Sequence, residues 1–409
     1  MSIFFGKRAS FRFLWFGQMF ANLGDILYVV CLIKLIFDAT GSVTYMSLVP
    51  FFTTISALIS GILAPLVINK YKLKSILVYS QSGKTLLLFV LCLFALHFES
   101  DGLFWIYVLI CFISFLDGWA SPARNALVPS MVEESKLVQI NSILSISDQI
   151  VQLIAWPFGS ILLVAMGAGK ILWLTFSLYL LATVCMWLIK HVANHQTIEE
   201  QTRMESLKEG WRIIWHSKQL RTISFMNILE TFANGVWIAA ILFVFVAEAL
   251  NKGEGWWGFI NGSFFAGMLF GGLLIYRFSV LIEKNLGKTI LWSTFCLISI
   301  TFLFGTTSIP WFALLVSFIF GMPQMARDVA ETTIIQRSAK EQLLAKVYSA
   351  RGTLIFAAFG ISSLVMGWIT ETFGVRITFL VATGLFLCSF TVALMGRKYL
   401  FLHVGEKID

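Results

Sequence analysis

Long apolar runs separated by short polar connections dominate this 409-residue chain. A helix needs roughly 20 apolar residues to cross the hydrocarbon core of a bilayer. Runs of that kind fall near residues 12–37, 44–68, 75–97, 103–126, 139–165, 170–190, 221–247, 256–278, 287–308, 310–330, 347–369 and 375–395, which predicts twelve transmembrane helices. The first run follows Lys7, Arg8 and Arg12 and continues to about Phe37 without a small-residue cleavage site. It reads as a span rather than a removable leader.

The basic residues turn this count into a topology. With a cytoplasmic N-terminus, 25 of the 30 Lys and Arg side chains fall in the inside segments. Outside lie Lys170, Lys252 and Arg376, and within spans Lys34 and Lys84. A miscounted span would move everything after it to the other side, so the alternation supports twelve spans with both termini cytoplasmic.

Composition agrees: 58% of the residues are hydrophobic, 13% charged, and the mean hydropathy is +0.83. A soluble domain carries about 25% charged residues. The net charge of +8 is scattered through short connections without a dense patch, which argues against a nucleic-acid partner. Cys31, Cys92, Cys111, Cys185, Cys296 and Cys388 all lie in predicted spans without CxxC spacing, so they read as packing residues rather than disulfide or metal sites. No paired-His, HExxH or Ser/His constellation and no GxxxxGK[ST] loop occurs, which points away from an enzyme and from direct ATP coupling.

The only long polar connection, residues 191–220, divides the chain into two six-span halves, 1–190 and 221–409. Within it Leu207, Trp211, Ile214 and Trp215 share one helical face, which predicts an amphipathic helix along the cytoplasmic membrane surface. A weak internal repeat relates the halves: Ala123-Arg124-Asn125 returns as Ala326-Arg327-Asp328, 203 residues on, and Glu134 and Leu137 return as Glu341 and Leu344, 207 residues on. Halves with an even number of spans share one orientation, as in transporters that rock about a central site. Spans two, five, eight and eleven are rich in Gly, Ala and Ser, including Gly61, Gly262, Gly267, Gly271, Gly352 and Gly360, the residue types that permit close helix contact in lipid.

Several stretches resemble the major facilitator superfamily, and within it the bacterial macrolide-efflux and enterobactin-exporter branch. They are Asn22-Leu-Gly-Asp25, Asp117-Gly-Trp-Ala-Ser-Pro-Ala-Arg-Asn-Ala-Leu-Val-Pro-Ser-Met-Val132, Arg327-Asp-Val-Ala-Glu-Thr-Thr-Ile-Ile-Gln336 and Lys346-Val-Tyr-Ser-Ala-Arg351. The superfamily's loop signature between spans two and three falls on Pro65 to Leu77, with Asn69 in place of its Asp, Lys70 in place of its Arg, and Lys74 and Leu77 kept. The resemblance implies two pseudo-symmetric six-helix bundles around a midplane cavity in a bacterial cell membrane. It also implies a monomer that exports a small amphipathic compound, a macrolide-like drug or a siderophore, with no cofactor and a proton gradient as energy source.

An ionisable side chain inside a span costs at least about 2.5 to 3.5 kcal/mol, so each one needs a partner, water or neutralisation. Asp25, Lys84, Asp117, Asp148 and Glu230 are such positions. Asp25 and Glu230 occupy the first span of each half, where the resemblance places the cavity, with Gln18, Asn22, Asn227 and Asn234 as polar neighbours; they are the candidates for proton coupling or substrate binding. Depth along the helices makes Lys84 the expected partner of Asp25. Asp117, Arg124 and Asp148, with Asn69, Lys70, Arg327 and Asp328, form an expected gate or structural charge network. A lipid translocase or an importer is the alternative use of the same architecture.

Overall fold

The computed structural model describes residues 2–40, 43–95, 102–190, 203–237, 239–253 and 255–401. The remainder of the long connection, residues 191–202, and the C-terminal Lys407 lie outside the described residues. The first half contributes α1 (Ser2–Thr40), α2 (Val43–Lys70), α3 (Leu73–Ala95), α4 (Leu103–Met131), α5 (Leu137–Met166) and α6 (Ala168–Trp187). The connection contains α7 (Arg203–His216). The second half contributes α8 (Lys218–Ala233), α9 (Ala239–Val244), α10 (Gly255–Arg277), α11 (Ser279–Glu283), α12 (Leu286–Thr306), α13 (Pro310–Ser338), α14 (Glu341–Phe373), α15 (Val375–Met395) and α16 (Arg397–Leu400). No strand occurs among the described residues. In lipid the backbone must satisfy itself, and helices do so within one segment.

Among the described residues, eleven helices are long and apolar enough to cross a membrane. The twelfth span, expected as one helix over 221–247, is broken. After α8 the chain passes through a 3-10 turn, Asn234–Trp237, then α9 and a π turn, Phe245–Ala249. Gly235 presses on the Ser362 side chain, and the Ser362 hydroxyl donates to the Phe232 carbonyl at 3.0 Å. A side-chain donor thus supplies a carbonyl at the break. Trp237 caps an aromatic core there, with its ring 4.7 Å from Phe304 and 4.8 Å from Phe320. α13 also runs past the expected end of span ten, to Ser338.

The chain divides by packing into two compact units. One comprises Met1–Glu133, Ile150–Trp211 and Glu341–Thr353; the other comprises Glu134–Gln149, Arg212–Lys340 and Leu354–Asp409. The first part of α5 therefore packs in the second unit and the first part of α14 in the first.

Equivalent backbone details recur at the repeat spacing. Gly167 and Gly374, 207 residues apart (374 minus 167), start α6 and α15 with φ of 79° and 86°, a conformation that costs glycine little and other residues more. Gly118 and Gly321, 203 apart (321 minus 118), each face a partner helix at close range: a Cβ at Gly118 would meet Ser60, and one at Gly321 would meet the backbone of α10 near Met268. Gly267 and Gly271 sit equally close to α13, so α10 and α13 cross backbone to backbone. The small-residue expectation does not extend to Gly262, Gly352 and Gly360, where a Cβ would meet nothing within 4 Å.

The position of α7 is set by protein contacts. Gly210 lies against the Lys346 carbonyl at the start of α14, and Glu209 pairs with the Lys346 ammonium. Of the expected apolar face, Ile214 is buried, Trp211 is half-buried and Trp215 is exposed with its ring edge-on to Phe225.

Candidate functional site: two charge clusters in the spans

In the first unit, α1, α3, α4 and α6 bring one cation between two carboxylates. The Lys84 ammonium lies 2.8 Å from Asp25 Oδ1, 3.2 Å from Asp25 Oδ2 and 2.7 Å from Asp117 Oδ1. The Tyr179 hydroxyl donates to Asp25 Oδ1, and the Lys84 ammonium stands 5.1 Å from the Tyr179 ring centre. Gly24 makes room for that ring, because a Cβ there would come within 2.6 Å of Tyr179 Cε1. Lys84 is only 1% exposed, yet the Asp25 and Asp117 side chains are 29% and 51% exposed. A carboxylate left facing hydrocarbon is too costly, so this exposed edge needs water or a further polar partner. Gln18 and Asn22, two turns and one turn before Asp25 on α1, are half-buried and bonded to each other at 2.6 Å, extending the polar stripe.

The second unit repeats the charge count with other residues. On α13 the Arg327 guanidinium pairs through Nε with Glu230 of α8, and through Nη1 with Glu331 at 2.6 Å. Asn227 receives a hydrogen bond from Arg327 Nη2 at 3.1 Å and donates to Glu331 Oε1 at 2.7 Å. The Ser389 hydroxyl of α15 donates to Glu230 Oε1 at 2.5 Å. Arg327, Glu230 and Glu331 are 4%, 4% and 1% exposed, so this cluster is sealed. Glu230 is therefore hydrogen-bonded rather than wet. Asn234 sits at the break in the seventh span, where its N–H bonds to the Glu230 carbonyl. Asp328 lies at the edge, 3.9 Å from Arg327 and held by Gln324 at 3.0 Å.

The structure regroups the remaining predicted residues. Asp117, expected in a network with Arg124 and Asp148, shares Lys84 with Asp25. Arg124 is half-buried on α4 in the first unit, and Asp148 is half-buried on α5 in the part that packs in the second. Asn69 accepts a hydrogen bond from Lys346 at 2.9 Å, and Lys70 lies over the Tyr71 ring at 5.6 Å. Arg327, expected in a gate or structural charge network, is the centre of the second cluster.

Tyr179, Ser389 and Glu331 were not among the sequence candidates. The first two are neutral hydroxyls among many. Glu331 lies one residue past the expected end of span ten, but its position four residues after Arg327 puts both on one face of a longer helix.

The sequence profile of the Major Facilitator Superfamily matches residues 14–356. The chain belongs to the major facilitator superfamily. This facilitator is 33% identical over 379 residues to the MFS-type transporter YfmI of Bacillus subtilis (strain 168), covering 91% of this chain and 93% of that one. It is 21% identical to macrolide efflux protein A of Streptococcus pyogenes over 93% of this chain and 94% of the relative. Among solved structures, the E. coli fucose:proton symporter FucP superposes with a TM-score of 0.76 at 15% identity, over 96% and 99% of the two chains, which fixes the fold. The protein is a multi-pass membrane transporter of this superfamily.

Proposed function

We propose that this facilitator exports an amphipathic, drug-like compound by alternating access, driven by proton entry, with both termini in the cytoplasm. The observation that carries the reading is the charge imbalance around Lys84. One ammonium faces two carboxylates inside a span, and the exposed edge of the cluster consists of those carboxylates. With both ionised the cluster holds one negative charge too many, and a low-dielectric surrounding makes that charge expensive. A proton on Asp25 or Asp117 removes it, and so does a cationic group of the cargo. Competition between the two for one site is the simplest form of antiport.

The efflux function named for macrolide efflux protein A supports the export direction, and the proton coupling named for the FucP symporter supports the energy source. The test is transport in proteoliposomes with an imposed pH gradient, comparing the native protein with Asp25→Asn and Glu230→Gln. Native protein concentrates a macrolide against its gradient, and Asp25→Asn loses that response while still exchanging substrate passively. Gradient-driven accumulation by both variants at the native level overturns the proton assignment. Movement of labelled phospholipid in place of the drug assigns the same fold to lipid translocation.

A further inference from the structure

A cavity of about 990 Å³ lies in the second unit where α10 leaves the spans and α12 enters them. Its ionic lining is Glu134, Lys136, Glu283, Lys284, Lys288 and Arg337. Arg337 holds both acids in the wall. It pairs with Glu283, donates to the Glu134 carbonyl at 2.9 Å, and places Nε 3.8 Å from the Glu134 carboxylate. Four cations against two carboxylates leave the cavity net positive. Burial raises the Glu283 carboxyl from its ordinary value, against the pull of Arg337.

The floor is closed by close packing, since Gly287 lies against the Leu400 carbonyl and the Phe401 ring. The shoulder is apolar. On and just before α11, Phe278, Val280 and Leu281 are 53%, 69% and 62% exposed. Such side chains between two membrane spans belong against acyl chains rather than water. Exposed Lys284 and Lys288 stand immediately after them in sequence, at the cavity mouth.

We propose that this cavity holds the headgroup of an acidic phospholipid, with the acyl chains running past Phe278, Val280 and Leu281. A basic pocket beside an apolar shoulder at the end of the spans suits a ligand that is anionic at one end and apolar at the other. A soluble anion would use the lysines and leave the shoulder idle. The inference rests on the cytoplasmic orientation proposed above only for which leaflet supplies the lipid. Because Glu134 and Lys136 precede α5, an occupied site also ties the start of that helix to the second unit.

The test is native mass spectrometry of the full chain in detergent, with phosphatidylglycerol and phosphatidylcholine in equal amounts. Lys284→Gln with Lys288→Gln is the test variant, and Lys170→Gln with Lys252→Gln is the control at the other end of the spans. Native and control protein retain phosphatidylglycerol over phosphatidylcholine by about tenfold or more, and the test variant brings the ratio close to one, in line with the attraction of two lysines at a lipid surface. An unchanged melting temperature shows that the variant is folded. Equal retention of the two lipids by native protein, or an undiminished preference in the test variant, overturns the proposal. Displacement of the lipid by millimolar inorganic phosphate also overturns it and assigns the cavity to a free anion. Failure of proton-driven transport leaves this result untouched, because lipid retention is read without a gradient.

Discussion

The two charge clusters each set one buried cation against two close carboxylates, with Asp328 a third, looser one at the edge of the Arg327 cluster, and they differ in how the remaining valences are met. Around Arg327, Asn227 and Ser389 supply neutral partners, and the cation and its two close carboxylates, Glu230 and Glu331, are at most 4% exposed, with only Asp328 at the edge left open. Around Lys84 the cation is equally buried, but Asp117 and Asp25 keep an open edge. A closed network resists change because losing any member strands a buried charge. An open one can exchange a proton or a ligand. On the proposed reading, the same arithmetic of charge makes a fastening in one half and a site of exchange in the other.

The largest expected effect tests the fastening. Arg327→Met leaves Glu230 and Glu331 buried without their cation and destabilises the protein by about 3 to 5 kcal/mol, the usual cost of removing one partner of a buried pair. Thermal unfolding in detergent measures it, and a melting temperature near the native value would remove the distinction between the clusters. Next comes Asp25→Asn, expected to reduce gradient-driven accumulation by roughly 5- to 150-fold, the ordinary span of coupling between two sites, while the melting temperature stays near native. The opposite split, with stability lost and coupling kept, would exchange the roles of the halves.

Smaller effects sharpen the comparison. Ser389→Ala removes a hydrogen bond to a sealed carboxylate and costs about 1.5 to 3 kcal/mol. Tyr179→Phe removes the matching bond to Asp25, whose Oδ1 keeps the Lys84 ammonium as a partner, and costs about 1 kcal/mol or less. Unfolding of the two variants side by side should rank them in that order. Asp117→Asn, at the most exposed position, is expected to change stability least and to shift the pH dependence of transport.

The sequence carried the span pattern because insertion in lipid selects on apolar length alone, and the eleven long helices follow the apolar runs. The broken seventh span was only faintly legible. Its local trace is the Asn234-Gly235 pair, a turn signal inside an apolar run, while the Ser362 hydroxyl that donates to the Phe232 carbonyl at the break comes from a distant helix. The extra turns of α13 were hidden for a related reason, since the helix continues beyond its apolar stretch and carries Glu331 with it. Lys84 could be matched to Asp25 by depth, a one-dimensional quantity. Membership of Asp117 depends on the rotation of α4, which depth does not give. The repeat was visible as a faint spacing around Arg124 and Arg327, yet those two arginines sit differently. Arg327 anchors a cluster whose counterpart in the first unit is built on Lys84 of another helix.

The central claim is that the Lys84 cluster holds one exchangeable proton. Infrared difference spectroscopy of the purified protein, stepped between mildly acidic and mildly alkaline pH, reads carboxyl protonation without any substrate. The account predicts a protonated-carboxyl band that titrates in the native protein, persists in Glu230→Gln and disappears in Asp25→Asn. A band of native size and midpoint in Asp25→Asn would contradict it.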